Sequence, residues 1–137
     1  MEISNNKKEY QYRESLVFSC QYHVVFCPKY RRPVLVNNIQ LRLKELLLEK
    51  QKEYKYKILE MEIMKDHLHL LIDVDPQIGI YKIINQIKGY TSRTIREEFP
   101  EMKSKLPSLW TRSKFISTVG SVSLETVKKY IEEQKGK

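Results

Sequence analysis

The chain has little cysteine and no long apolar run, and each shortage removes a class of protein. Its two cysteines, Cys20 and Cys27, lie seven apart on one predicted strand. Odd spacing points them to opposite faces, so they cannot pair. A disulfide-stapled scaffold is thereby excluded, and two reduced thiols fit a cytoplasmic protein. No apolar stretch approaches the roughly 20 residues that a membrane-spanning helix needs. Residues 1–14 are polar and lack the apolar segment of a secretory leader. Acidic residues are the minority charge: 17 Asp and Glu stand against 25 Lys and Arg, a net charge of +8. That excess favours polyanionic partners, nucleic acid before membrane, although dispersed surface lysines give the same count.

The 137 residues fit one domain, 1–137, large enough to bury a core. Residues 1 to about 13 are charged and are expected to be flexible. Residues 15–27, rich in Val, Phe and Tyr, read as a strand that Pro28 stops. Lys29-Tyr30-Arg31-Arg32 follows as a loop. Asn37 or Asn38 can cap a helix over 39–52, with Leu43, Leu46 and Leu47 on its apolar face. Strands over 55–64 and 67–74 then flank a tight turn at Lys65-Asp66. Asp75-Pro76 precedes a helix over 80–98, which Pro100 ends. A strand over 110–119 breaks at Gly120, and Ser123 caps a last helix over 124–134. The order β-α-β-β-α-β-α predicts a ferredoxin-like α+β domain: an antiparallel sheet, helices on one face, and a C-terminal helix bearing a tyrosine.

The chemistry concentrates at His67-Leu68-His69. Imidazoles one residue apart on a strand point to the same side, which sets two neutral nitrogen ligands together for a divalent metal. If Lys65-Asp66 is a two-residue turn, Glu62 lies opposite His69 on that face, as a ligand or as an acceptor orienting one. One extra turn residue would flip Glu62 away and leave it an exposed glutamate. Asp66 reads as a turn former, and His23 as a packed or hydrogen-bonded histidine. On the last helix Tyr130 and Gln134 are four apart and share a face. A phenol becomes a useful nucleophile when a metal polarises the phosphate under attack. Gln134 offers a neutral oxygen to the same metal. Basic residues interleaved with aromatics supply a nucleic-acid surface: Lys29, Tyr30, Arg31 and Arg32, then Lys88 and Arg93, with Arg96 read as solvated. Trp110 and Phe115 read as core.

Four segments in order carry a family resemblance. They are 22–32 with its basic loop, Asp66-His67-Leu68-His69-Leu70-Leu71-Ile72, Lys88-Gly89-Tyr90-Thr91-Ser92-Arg93, and 109–134 ending in Tyr130-Ile131-Glu132-Glu133-Gln134. The chain resembles the one-tyrosine HUH transposases, small enzymes that move insertion sequences as single-stranded DNA. The resemblance implies that Tyr130 attacks a DNA phosphate, leaving a 5′-phosphotyrosine link and a free 3′-hydroxyl. It implies that His67 and His69, with Gln134, hold Mg²⁺ or Mn²⁺, although such a donor set suits Zn²⁺ or Ni²⁺ equally well. It also implies recognition of subterminal DNA hairpins. The partner would be a second copy, with each tyrosine helix docked on the other subunit's metal site. A local motive agrees, because Gly120-Ser121-Val122 can redirect a helix too short to stand alone. Two other readings compete: a domesticated relative that cuts chromosomal repeat hairpins, and a non-catalytic nucleic-acid-binding module. The latter needs aromatics exposed on its central strands and no Tyr130.

Overall fold

Valine, isoleucine, leucine, methionine and aromatic residues make up most of the chain's longer strands, the composition of a buried sheet. 

Those residues fill four strands, Gln21–Phe26, Tyr56–Met64, His67–Val74 and Phe115–Thr118. The computed structural model describes residues 11–13, 16–119 and 124–137. In chain order the elements are β1 (Gln11–Arg13), β2 (Leu16–Phe18), β3 (Gln21–Phe26), α1 (Asn37–Glu49), α2 (Gln51–Tyr54), β4 (Tyr56–Met64), β5 (His67–Val74), α3 (Ile80–Glu98), α4 (Glu101–Lys105), β6 (Phe115–Thr118) and α5 (Leu124–Glu133). A 3-10 turn over Lys29–Arg31 follows β3. The main sheet is antiparallel with order β4-β5-β3-β6. This is the ferredoxin-like arrangement, with the chain's first and third core strands side by side at the centre.

Cross-strand partners share a face, so the register sorts the side chains. Val24, Phe26, Leu68, Leu70 and Ile72 pack with Leu43, Leu46 and Leu47 of α1 and Ile83, Ile84, Ile87 and Ile95 of α3 in the main core. The helical residues recur at spacings of three and four, the amphipathic period of a helix laid on a sheet. The opposite face carries Val25, which packs with Val127 and Ile131 of α5, flanked by Phe115 and Tyr130. Helices therefore cover one face and the tyrosine helix covers the other. Central strand β5, buried from Leu68 to Val74, reads as a near-continuous apolar run for that reason.

Several expected boundaries shift. The strand expected over 15–27 is two: β2 pairs with β1, and β3 begins after a break at Ser19-Cys20, where the Cys20 amide donates to Asp73 Oδ1 at 2.8 Å. Gln11–Arg13, expected to be flexible, is therefore paired. Neither Asn37 nor Asn38 caps α1; Val36 holds that position without a side-chain bond. The strand expected over 110–119 shortens to β6, because residues 112–114 leave the ladder after a bridge between Pro28 and Trp110. Both cysteines are free, and among the described residues no helix is long and apolar enough to cross a membrane. The expected flexibility of residues 1–10, the Gly120-Ser121-Val122 turn and the Ser123 cap lie outside the described residues.

Candidate active site

The β4–β5 hairpin places the first half of the site. Its register pairs Met64 with His67, Ile63 with Leu68 and Glu62 with His69, as a two-residue turn at Lys65-Asp66 requires. Glu62, His67 and His69 therefore share one sheet face. A register shift between Ile58 and Glu60 keeps this compatible with the core. Leu59 is the extra residue, so Ile58 can face the main core while Glu60 and Glu62 face the other way. Asp66 does more than form the turn: its Oδ1 lies 2.9 Å from His67 Nδ1. A carboxylate there accepts the Nδ1 proton and leaves the Nε2 lone pair for a ligand.

His69 is buried, and its Nε2 lies 3.2 Å from His23 Nδ1. The rings stack with centroids 5.4 Å apart. Burial pushes the His69 pKa down to about 4, with the neighbouring His23 and His67 acting the same way. His23 is lowered too, again chiefly by burial, with Glu60 opposing. Both imidazoles are neutral near pH 7, the state in which a ring nitrogen can bind a cation.

Helix α5 brings the second half over this face. Val127 and Ile131 pack on Val25, and Gln134, one residue past the helix, is buried beside them. Tyr130 is half-buried, with its ring 5.3 Å from that of Phe115 and its hydroxyl 2.9 Å from Ser113 Oγ. Burial pushes the phenol's pKa up to about 12, against the pull of the Ser113 hydrogen bond. A cavity of about 350 Å³ between sheet and helix is lined by Glu62, Met64, His67, Lys128, Ile131 and Glu132.

Glu62 Oε1, His67 Nε2 and Gln134 Oε1 are buried without a hydrogen-bond partner. Leaving such an atom unpaired costs about 1–3 kcal/mol, so three on facing surfaces ask for a common partner. Among the described residues no group of three His, Cys, Asp or Glu side chains is placed to hold a metal ion. A cation here would need the Gln134 amide alongside imidazole and carboxylate. That donor set, with neutral imidazoles and hard oxygens, fits a divalent ion.

The family model described as "Transposase IS200 like" matches residues 16–134. The chain belongs to that family. The ISDra2 transposase TnpA of Deinococcus radiodurans is 35% identical over 123 residues, covering 88% of each chain. The transposase for insertion sequence element IS200 of Salmonella typhimurium is 32% identical over 120 residues, covering 85% of this chain and 78% of that one. A crystal structure from Deinococcus radiodurans R1, assigned as a transposase, superposes with a TM-score of 0.84 at 28% identity, covering 93% of this chain and 99% of the other. A REP-associated tyrosine transposase bound to a REP hairpin shares the fold, with a TM-score of 0.56 at 10% identity, over 89% of this chain and 68% of that one. The protein is thus an IS200-like insertion-sequence transposase.

In this IS200-like transposase the expected DNA-contacting residues divide. Tyr30 is 40% exposed, Arg32 and Arg93 are exposed, and Lys29 Nζ lies 5.2 Å from the Tyr30 ring centroid. Lys88 instead turns inward. Its ammonium donates to the Thr111 carbonyl at 2.7 Å, with those of Arg112 and Ser113 at 3.4 Å. The reason is local: residues 112–114 leave the ladder, and their carbonyls need a donor. Arg31 also turns inward, to Asp66 and α5. Trp110 is core, edge-on to Phe26 at 4.7 Å and donating to Thr91 Oγ1 at 2.9 Å, whereas Phe115 is only partly buried, under α5. Sequence reasoning missed Ser113 as the phenol's partner and Asp66 as the acceptor for His67. The adjacency of Asp66 to the histidine pair was the available signal; for Ser113 there was none.

Proposed function

We propose that this transposase cuts and rejoins single-stranded DNA at insertion-sequence ends through a covalent tyrosine intermediate. Tyr130 is the nucleophile. Its phenolic oxygen attacks the scissile phosphorus, a new P–O bond forms to the tyrosine, and the bond to the 3′ oxygen breaks. The phenol gives up its proton and the departing 3′ oxygen gains one, so the products are a 5′-phosphotyrosine and a free 3′-hydroxyl. Reversal with another 3′-hydroxyl reseals the strand without ATP, because the phosphodiester energy is conserved.

His67 Nε2, Gln134 Oε1 and Glu62 Oε1 would hold a divalent cation, Mg²⁺ or Mn²⁺. His69 would join them by exchanging its contact with His23. Such an ion polarises a phosphate and offsets its charge. The chain's own groups do the rest. Asp66 keeps His67 in the ligating tautomer, Ser113 fixes the phenol's direction, and Lys29, Tyr30, Arg32 and Arg93 hold the strand by charge and stacking. DNA hairpins are the substrate feature, and a homodimer exchanging tyrosine helices is the assembly. The observation that carries the reading is the set of three partnerless atoms, Glu62 Oε1 and His67 Nε2 on one sheet face and Gln134 Oε1 just past the tyrosine helix.

A non-catalytic binding module would need exposed aromatics on the central strands. In β3 and β5 Phe26 is buried and Tyr22 is partly buried against the core, which favours the enzyme. The test incubates labelled single-stranded DNA from the element's ends with protein and Mn²⁺. A covalent adduct on Tyr130 is expected, absent in Tyr130→Phe and in a His67→Ala/His69→Ala double variant that still binds the hairpin. An adduct mapped to another tyrosine, or cleavage by the double variant, overturns the reading.

A further inference from the structure

Arg31 belongs to the basic cluster that the sequence assigns to DNA, yet its side chain is only 15% exposed. The backbone turns it inward at a cost. Tyr30 and Arg31 have φ of 61° and 52°, the left-handed region, which crowds the Cβ of a non-glycine residue against the backbone. Such conformations persist where the surroundings over-determine them. Here the Arg31 amide donates to Pro28 at 2.8 Å, the Tyr30 amide to the Lys137 carbonyl at 2.6 Å, and Gly136 back to the Tyr30 carbonyl at 3.4 Å.

The guanidinium reaches two elements. Its Nε lies 3.4 Å from Asp66 Oδ2, while the other oxygen of that carboxylate takes His67 Nδ1 at 2.9 Å. Its Nη1 donates to the Ile131 carbonyl at 3.3 Å and to Glu132 at 3.1 Å. The Ile131 carbonyl, in the last turn of α5, also accepts from the Gln134 amide at 3.1 Å, so Arg31 is its second donor, and a cation there suits the helix dipole. Glu132 is 72% exposed, so that contact contributes little. The Asp66 and Ile131 contacts carry the effect. They run in different directions from one planar fork, which a lysine cannot reproduce.

We infer that Arg31 is a positioning residue that couples the orientation of His67, through Asp66, to the docking of the tyrosine helix. The inference rests on the proposal that His67 binds a divalent ion. Without Arg31, Asp66 at the hairpin tip is free to swing into solvent, and His67 loses the acceptor that fixes its tautomer. Because linkage is reciprocal, an ion on His67 also tightens α5, and does so without the Gln134 amide.

The experiment measures Mn²⁺ affinity calorimetrically in Tyr130→Phe protein without DNA. Arg31→Gln is expected to weaken binding about 10-fold, within the range seen when a partner of a ligand is removed. Asp66→Asn should do the same. The double variant should be no worse than either single one, because both act on one path. Arg31→Lys, which keeps the charge and guards against misfolding, should fall between. Hydrogen exchange supplies the second readout. In Gln134→Ala protein Mn²⁺ should still slow exchange in α5, and adding Arg31→Gln should remove that slowing. Unchanged Mn²⁺ affinity in Arg31→Gln, or multiplicative losses in the double variant, overturns the inference alone. Parental Mn²⁺ affinity in His67→Ala/His69→Ala protein overturns the metal reading beneath it as well.

Discussion

Lys88 shows how one side chain can belong to structure where its charge suggests a ligand. Its ammonium holds the carbonyls of residues 111–113, and residue 113 in turn holds the Tyr130 hydroxyl. Burial pushes its pKa down to about 8, with Lys114 acting in the same direction. In the unfolded chain the value is about 10.4. Between those values the unfolded state binds more protons, so this lysine makes stability rise with pH through that window. In urea unfolding, the midpoint of the parent protein should therefore gain on that of Lys88→Met between about pH 7 and about pH 9.5. A constant gap would mean that the amine is solvated. The same variant should slow cleavage several-fold while hairpin affinity holds, since what it loosens is the loop beneath Tyr130 and not a phosphate contact.

At the scale of elements, α5 is the piece whose attachment matters most. Ten residues long, it is too short to be stable alone and is held on the sheet by Val127 and Ile131 against Val25. Val127→Asp should release it, because a buried, unpaired carboxylate is costlier than an undocked helix. The expected signature is fast hydrogen exchange in α5 and loss of cleavage, with the sheet still folded. Leu70→Ala, in the main core, should instead lower global stability by about 2–5 kcal/mol. Equal losses from the two would mean that α5 is integral to the folding unit. The hairpin β4–β5 was legible because turn length sets register. The shift at Leu59 was not, since a strand's sequence does not say which residue goes unpaired. Nor was the early departure of 112–114 from the ladder, after which Lys88 of α3 takes the carbonyls of residues 111–113.

For the whole molecule, the question is which sheet the tyrosine helix serves. In this single chain α5 covers its own sheet, whereas the proposed dimer exchanges the helices. Mixing His67→Ala/His69→Ala protein with Tyr130→Phe protein decides between them. Exchange in trans reconstitutes one whole site per heterodimer: the intact histidines of one subunit meet the intact tyrosine of the other. Assembly in cis leaves every site lacking a part. Recovered cleavage is expected. Its absence, with heterodimers verified by mass spectrometry, would show that the cleaving state uses its own helix.

The order of the elements and the tight turn at Lys65-Asp66 could be read from residue order; that Glu62 faces His69 was conditional on a two-residue turn, which the folded hairpin decides. Hydrophobic period and turn length are local, and a sheet's pleat carries them across to the neighbouring strand. The spacing of Tyr130 and Gln134 put both on one helical face in the same way. Contacts between groups far apart in the chain needed the folded molecule. His23 meets His69 through the β3–β5 register, and Ser113 meets Tyr130 only because residues 112–114 leave the ladder. Arg31 left the basic surface for Asp66 and α5 because a left-handed turn aimed it there. Charge is visible in a sequence; the direction in which a charged side chain points depends on a backbone held by partners about a hundred residues away.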